Sequence, residues 1–137
     1  MDKNSIYIGS EYQFYFKFDQ NDVINFAKAS GDDNPIHLDD EYAKNTIFKK
    51  RILHGFLGGS VFSKVFGTLY PGNGTIYLKQ NMSFYKPMFV ETNYVAKFKV
   101  IEIDSIINRA KVTTEIYDDE NQLIIGGDAL IKHPSIK

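Results

Sequence analysis

The chain contains no cysteine among its 137 residues, which excludes a disulfide framework, a thiolate nucleophile and a cysteine-bound iron–sulfur cluster. Net charge is also nearly absent, because 16 basic and 17 acidic residues leave a formal value of −1. The basic surface typical of nucleic-acid binding is therefore missing. No apolar run is long enough to span a membrane, and the first residues lack the apolar core of a signal peptide. We expect a cytoplasmic protein whose partners include neither nucleic acid nor a membrane.

The composition favours a compact domain. Hydrophobic residues make up 43% of the sequence, which is enough for one domain of this length to bury a substantial core. No internal repeat, linker or low-complexity stretch divides the chain. The sequence therefore predicts a single domain over residues 1–137.

Hydrophobic periodicity predicts one strand followed by helices in the first half of the chain. Aromatic residues alternate with polar ones over residues 12–18, which predicts a first strand. Asp19 is a suitable N-cap for a helix over about residues 21–30. A short second helix is predicted to begin near Asp39 or Asp40. Residues 55–69 are apolar almost all round, which predicts a long buried helix.

Two glycines make the long helix ambiguous. Gly58 and Gly59 each cost roughly 1 kcal/mol relative to alanine inside a helix. That cost is tolerable if another part of the chain packs closely against the backbone there, and a broken helix is the alternative. The second half of the chain predicts strands at residues 75–85, 93–104, 107–117 and 122–132, with a polar hairpin loop at residues 118–121. One strand, then helices, then a meander of strands is an α+β pattern.

The segment Ser30–His37, with the sequence SGDDNPIH, carries the most chemistry. Gly31 is suited to end the preceding helix, and Pro35 disfavours helix at the residue before it. The segment therefore predicts an irregular loop that holds Asp32 and His37 five positions apart. A carboxylate and an imidazole are the ingredients of general acid–base catalysis near neutral pH. Ordinary turn chemistry, in which Asp and Asn side chains bond local backbone amides, is the alternative.

Residues 31–37 resemble the G-D-x-N-P-x-H signature of the MaoC-like hydratase family, which includes (R)-specific enoyl-CoA hydratases. The resemblance continues through segments 51–57, 70–72 and 84–87 and covers nearly the whole chain. It implies a hotdog fold, in which an antiparallel sheet wraps around a long central helix. It also implies reversible (R)-specific hydration of trans-2-enoyl-CoA to (R)-3-hydroxyacyl-CoA.

The resemblance assigns roles to individual residues. Asp32 and His37 would grip one water between them, and the backbone N–H of Gly55 would stabilise the charge on the thioester oxygen. Asn34 would orient the loop, whereas Asp33 occupies the variable position of the signature and receives no role. We interpret His54 as a structural histidine.

Further residues are assigned to the substrate. Ser63 and Phe66 would face the acyl pocket, with ordinary core packing as the alternative, and the size of Phe66 suggests a short acyl chain. The basic residues Lys49, Lys50 and Arg51 could meet the phosphates of coenzyme A, although their sequence favours a solvated surface loop. The histidines lack the spacing of zinc ligands. We therefore expect no metal, and no cofactor beyond the coenzyme A of the substrate.

Three other activities remain open on the same fold: a 3-hydroxyacyl-acyl-carrier-protein dehydratase, an acyl-CoA thioesterase and a non-catalytic acyl-CoA-binding domain. The intact Asp32–His37 pair argues against the first two, and the joint presence of Asp32, His37 and Gly55 argues against the third. A single small hotdog domain has an exposed sheet edge and a shallow pocket, both of which a second copy would cover. We therefore expect a homodimer with the acyl-CoA channel near the subunit interface.

Overall fold

A computed structural model describes residues 5–137. Its helices and strands are, in chain order, β1 (Glu11–Phe16), α1 (Gln20–Ser30), α2 (Pro35–Leu38), α3 (Asp40–Lys44), α4 (Gly55–Thr68), β2 (Ile76–Gln80), β3 (Ser83–Phe84), β4 (Tyr94–Asp104), β5 (Arg109–Asp118) and β6 (Leu123–Lys132). The strands form one sheet in the order β1-β4-β5-β6-β2, and β3 also pairs with β6. Every pairing is antiparallel. The predicted α+β class is confirmed.

The central strands bury one face of the sheet. Every second side chain along the start of β4 and along β5 is buried, and the residues between them are more exposed. Such alternation arises because successive side chains of a strand point to opposite faces. The buried face supplies the floor on which α4 packs.

Helix α4 lies on this floor through its aromatic residues. The rings of Phe62 and Phe66 meet Phe98 of β4 edge to face, with ring centroids 5.8 and 5.3 Å apart. Burial of each such ring stabilises the fold by roughly 2–3 kcal/mol. The predicted burial of α4 is confirmed for its inner face alone, because its outer face is open and Phe56 is 68% exposed.

The two glycines do not break α4. A Cβ atom on Gly58 would lie 2.5 Å from the Sδ atom of Met88, and one on Gly59 would lie 2.6 Å from that of Met82. Both methionines therefore use the space that a side chain would occupy. This close approach of sulfur to the helix backbone is the packing that offsets the low helix propensity of glycine.

The strand predicted over residues 75–85 is divided into β2 and β3. At the division, the Asn81 backbone crosses so close to Gly127 that a Cβ there would lie 2.0 Å from the Asn81 carbonyl oxygen. The Asn81 side chain also donates to Asp128 at 2.8 Å. The pairing with β6 is interrupted here because the Asn81 backbone passes close over β6 at Gly127, which has no side chain to prevent the approach.

The loop predicted over residues 30–37 is shorter than expected. Gly31 ends α1 in the left-handed conformation, with φ of 79°, as predicted. Pro35, however, opens the one-turn helix α2, so the irregular segment covers residues 31–34 alone. Proline is well placed there, because the first residue of a helix needs no N–H acceptor and proline already has helical φ. His37 consequently lies on a helical turn.

In the described part of the chain, no helix combines the length and the apolar character needed to cross a membrane.

Candidate active site

Asp32, the acidic residue of the signature, is exposed on a loop that hydrogen bonds between neighbouring residues hold in place. The backbone N–H of Asp32 donates to Ser30 Oγ at 3.1 Å, and the N–H of Asn34 donates to Asp32 Oδ1 at 3.3 Å. The Asn34 side chain itself accepts from Ile36 N–H and caps α2. Asn34 therefore contacts Asp32 through its backbone and orders the following turn through its side chain. Asp33 is exposed, with its backbone N–H bonded to Gly31.

His37 is buried, and one hydrogen bond determines which of its ring nitrogens carries the proton. Its Nδ1 atom lies 2.8 Å from the carbonyl oxygen of Ile52. A carbonyl can only accept, so Nδ1 carries the ring proton and donates it. In the neutral ring, the Nε2 atom then has a free lone pair and can accept a proton.

A second histidine joins the pair. His54 lies with its ring stacked on His37 at a centroid distance of 3.8 Å and an angle of 28°. One ligand-type atom from each of Asp32, His37 and His54 lies within 4.8 Å of the other two. Such a trio has two possible uses: it could hold a metal ion, or Asp32 and the free Nε2 atom of His37 could act as an acid–base pair.

Helix α4 begins immediately after His54 and its N-terminus is open. His54 is the N-cap residue, yet its side chain makes no capping hydrogen bond. Within residues 5–137, the N–H of Gly55 has no acceptor. Unpaired N–H groups at a helix start carry partial positive charge and stabilise an oxyanion. The structure thus presents such a donor at Gly55, the first residue of α4.

Two apolar cavities border the start of α4, and Phe56 lines both. The first, the Gly55 cavity, has a volume of about 500 Å³ and is lined by residues that include Gly55, Ile52, Phe84, Lys86 and Met88. The second, the Ser63 cavity, has a volume of about 540 Å³ and is lined by residues that include Phe26, Gly59, Ser63, Tyr77 and Met82. Both have the size and the apolar lining of small-molecule sites.

The two residues assigned to the acyl pocket are in different positions. Ser63 lines the Ser63 cavity. Phe66 lies one layer deeper, fully buried, with its ring edge-on to Tyr77 at 5.4 Å. Tyr77 therefore forms the wall that Phe66 supports. Burial raises the pKa of Tyr77 to about 12, so its hydroxyl stays neutral and donates to Gln80 Oε1.

The three basic residues assigned to coenzyme A lie between α3 and α4. Arg51 Nε pairs with Asp40 Oδ1 at 2.9 Å, and Lys50 Nζ lies 4.2 Å from the centre of the Phe89 ring. Lys49 is exposed in a left-handed backbone conformation, with φ of 66°. Lys86, which the sequence did not single out, lines the Gly55 cavity and donates to Gln122.

The matched region identifies the chain. The family model described as "MaoC like domain" matches residues 5–122. The chain belongs to the MaoC-like family. Across 134 residues it is 36% identical to the (R)-specific enoyl-CoA hydratase of Aeromonas caviae, covering 98% of this chain and 100% of that protein.

Two further comparisons place this MaoC-like protein among hydratases and dehydratases. The solved structure of the (R)-hydratase from A. caviae superposes with a TM-score of 0.91 at 36% identity, covering 95% of this chain and 98% of that one. A 3-hydroxybutyryl-CoA dehydratase of Methylorubrum extorquens is 36% identical over 115 residues, covering 82% of this chain and 71% of that protein. The expected hotdog fold is confirmed.

Proposed function

We propose that this MaoC-like protein catalyses the reversible (R)-specific hydration of trans-2-enoyl-CoA to (R)-3-hydroxyacyl-CoA. The observation that carries the proposal is the placement of Asp32 and His37 beside each other, close to the open start of α4. Two relatives are named for CoA thioesters: the (R)-specific enoyl-CoA hydratase that matches 98% of this chain and the 3-hydroxybutyryl-CoA dehydratase that matches 82% of it. An acid–base pair and an oxyanion donor are the two components that this reaction requires.

The geometry suggests how the groups share the work. In the resting state, ionised Asp32 and His37 Nε2 both accept, so together they hold one water by its hydrogens. One of the two takes a proton as the water oxygen bonds to C3 of the enoyl chain. That proton is delivered to C2 on the same face. The Gly55 N–H stabilises the negative charge that the thioester oxygen acquires in between.

The substrate assignments extend this proposal. The acyl chain would enter the Ser63 cavity, where the Tyr77 ring, supported by Phe66, limits its length. We therefore propose a short-chain substrate. Of the basic residues near the cavities, Lys49 is exposed and Lys86 lines the Gly55 cavity, so both are suited to meet coenzyme A phosphates. To do the same, Arg51 would first have to break its ion pair with Asp40, and Lys50 its contact with the Phe89 ring.

We also propose a homodimer. The exposed aromatic side chains Phe56, Phe84 and Tyr85 surround the Gly55 cavity, and the edge strand β2 exposes Ile76. A second copy would cover both features. Light scattering at micromolar concentration should give twice the mass of the chain, and a monomer would contradict the proposal. The reaction would take place in the cytoplasm, which cell fractionation tests.

Activity assays separate this function from its alternatives. With crotonyl-CoA, a hydratase should lower the absorbance of the enoyl thioester without releasing free coenzyme A. A thioesterase would release coenzyme A as the free thiol. A carrier-protein dehydratase would prefer the acyl-carrier-protein ester. A binding domain would neither hydrate crotonyl-CoA nor release its thiol. The chain itself supplies every group in the proposed reaction, so dialysis against a chelator should leave the rate unchanged.

A further inference from the structure

His54 has an unusual combination of position and contacts. It is 2% exposed, so its side chain presents almost no surface to a substrate. Its ring Nε2 atom lies 2.9 Å from the backbone carbonyl oxygen of Asp32. Because a carbonyl only accepts, Nε2 carries the proton and donates it.

The other ring atoms of His54 are also defined by their surroundings. One face stacks on His37, and Phe26 packs against the ring at a centroid distance of 4.7 Å. The Nδ1 atom is buried and has no partner within residues 5–137, so a second ring proton would have no acceptor. The ring is therefore held in a single orientation and in the tautomer that donates to Asp32.

The backbone of His54 adds a third connection. As the N-cap of α4, it accepts at its carbonyl from the N–H groups of Leu57 and Gly58, and its next residue is Gly55. Histidine is a poor capping residue compared with Ser, Thr, Asp or Asn. Its side chain makes no capping hydrogen bond and donates to the Asp32 carbonyl instead.

We infer that His54 is a positioning residue that fixes the acid, the imidazole and the oxyanion donor relative to one another. This inference rests on the proposed function. The hydrogen bond sets the Asp32 loop, the stacked ring sets His37, and the backbone sets Gly55. An error of about 1 Å in such an arrangement is enough to slow a reaction about a hundredfold.

The test compares two substitutions of similar size. In His54→Gln, the amide nitrogen is the same number of bonds from the backbone as Nε2 and can still donate to Asp32. In His54→Leu, the apolar bulk stays but the donor is lost. We expect kcat of the Gln variant to stay within about threefold of the unchanged protein. We expect kcat of the Leu variant to fall at least about tenfold with little change in KM, since His54 does not touch the substrate.

A purely structural histidine gives a different result. In that case, kcat per folded molecule would be equal in both variants, whatever their thermal midpoints, and the inference would be overturned. Equal losses in kcat and in substrate affinity would overturn it as well.

A second measurement does not depend on turnover or on a variant that folds. Long-range ¹H–¹⁵N spectra of the unchanged protein report which nitrogen of each ring is protonated. The inference requires Nε2–H at His54 and Nδ1–H at His37, and a proton on Nδ1 of a neutral His54 would contradict it. Absence of hydration by the unchanged protein with the required tautomers present would instead refute the proposed function.

Discussion

The helices of this protein begin in two different ways. Helices α1, α2 and α3 each begin with an acidic or amide side chain that accepts from the first turn: Asp19, Asn34 and Asp39. At α1 the cap is reciprocal, because Asp22 also accepts from the Asp19 N–H. Helix α4 begins with His54, whose side chain caps nothing, and with Gly55, whose N–H has no acceptor within residues 5–137.

The difference separates stability from function. A capped start satisfies its N–H groups and contributes about 1 kcal/mol to folding. An uncapped start beside an apolar cavity leaves a donor available for a ligand. Helix α4 can forgo a cap because its aromatic face is anchored on β4 through Phe62 and Phe66. The open donor is therefore located on the most firmly packed helix.

Removing either member of the acid–base pair near the open start should have the largest effect. Asp32→Asn or His37→Ala should each lower kcat for crotonyl-CoA hydration by about 10²–10⁴-fold, since each removes one of the two groups that hold the water. Asp32 is exposed, so the thermal midpoint of the Asn variant should be nearly unchanged. Retention of kcat within about threefold in either variant would refute the assignment.

Two glycine substitutions in α4 compare its open start with its far end. A Cβ on Gly55 would lie 2.8 Å from Phe84 Cε1, whereas one on Gly67 would meet nothing within 4 Å. Gly55→Ala should displace the Phe84 ring into the cavity and lower kcat/KM about tenfold. Gly67→Ala should leave activity unchanged and stabilise the fold by up to about 1 kcal/mol. Equal kinetic effects would show that the region around Gly55 has no special role.

Two capping residues should differ in their kinetic effect alone. Asp19→Ala and Asn34→Ala each remove a cap, so each should lower the free energy of unfolding by about 1 kcal/mol in denaturant titrations. Only Asn34→Ala should also lower kcat, by about tenfold, because α2 carries His37 and Asn34 precedes it on the Asp32 loop. A similar kcat for both variants would show that the α2 cap does not position the pair.

The smallest effect concerns Tyr77 at high pH. Burial raises its pKa to about 12, from 10 in the unfolded chain. The unfolded state therefore loses its proton first, and stability that is present below pH 10 is lost as the pH rises toward 12. Tyr77→Phe should make this alkaline loss shallower in urea titrations at several pH values. An unchanged slope would show that Tyr77 ionises equally in both states.

The sequence could predict what local chemistry determines. The left-handed Gly31, the Asp19 cap and the beginning of α4 at Gly55 follow from neighbouring residues, and the structure confirms them. The signature likewise predicted that Asp32 and His37 form the acid–base pair. His54 was interpreted as structural. Its hydrogen bond to the Asp32 carbonyl spans 22 positions of the chain, so no local pattern could predict it. The unusual N-cap was the available signal.

Contacts between distant segments could not be predicted. The sequence raised a broken helix at Gly58 and Gly59 as an alternative, and only the packed structure shows Met88 and Met82 against them. The same reason explains the division between β2 and β3, which depends on Gly127. The resemblance assigned Phe66 to an acyl pocket, but no pattern in the sequence could show that Phe66 lies behind Tyr77.

The most direct test of the account is the stereochemistry of hydration in heavy water. Crotonyl-CoA incubated with the protein in D₂O should give (R)-3-hydroxybutyryl-CoA with one deuterium at C2, on the face that received the hydroxyl group. The deuterium and the hydroxyl group arrive on the same face if one water, held by Asp32 and His37 beside the Gly55 N–H, supplies both of them. An (S) product, or deuterium on the opposite face, would contradict the account.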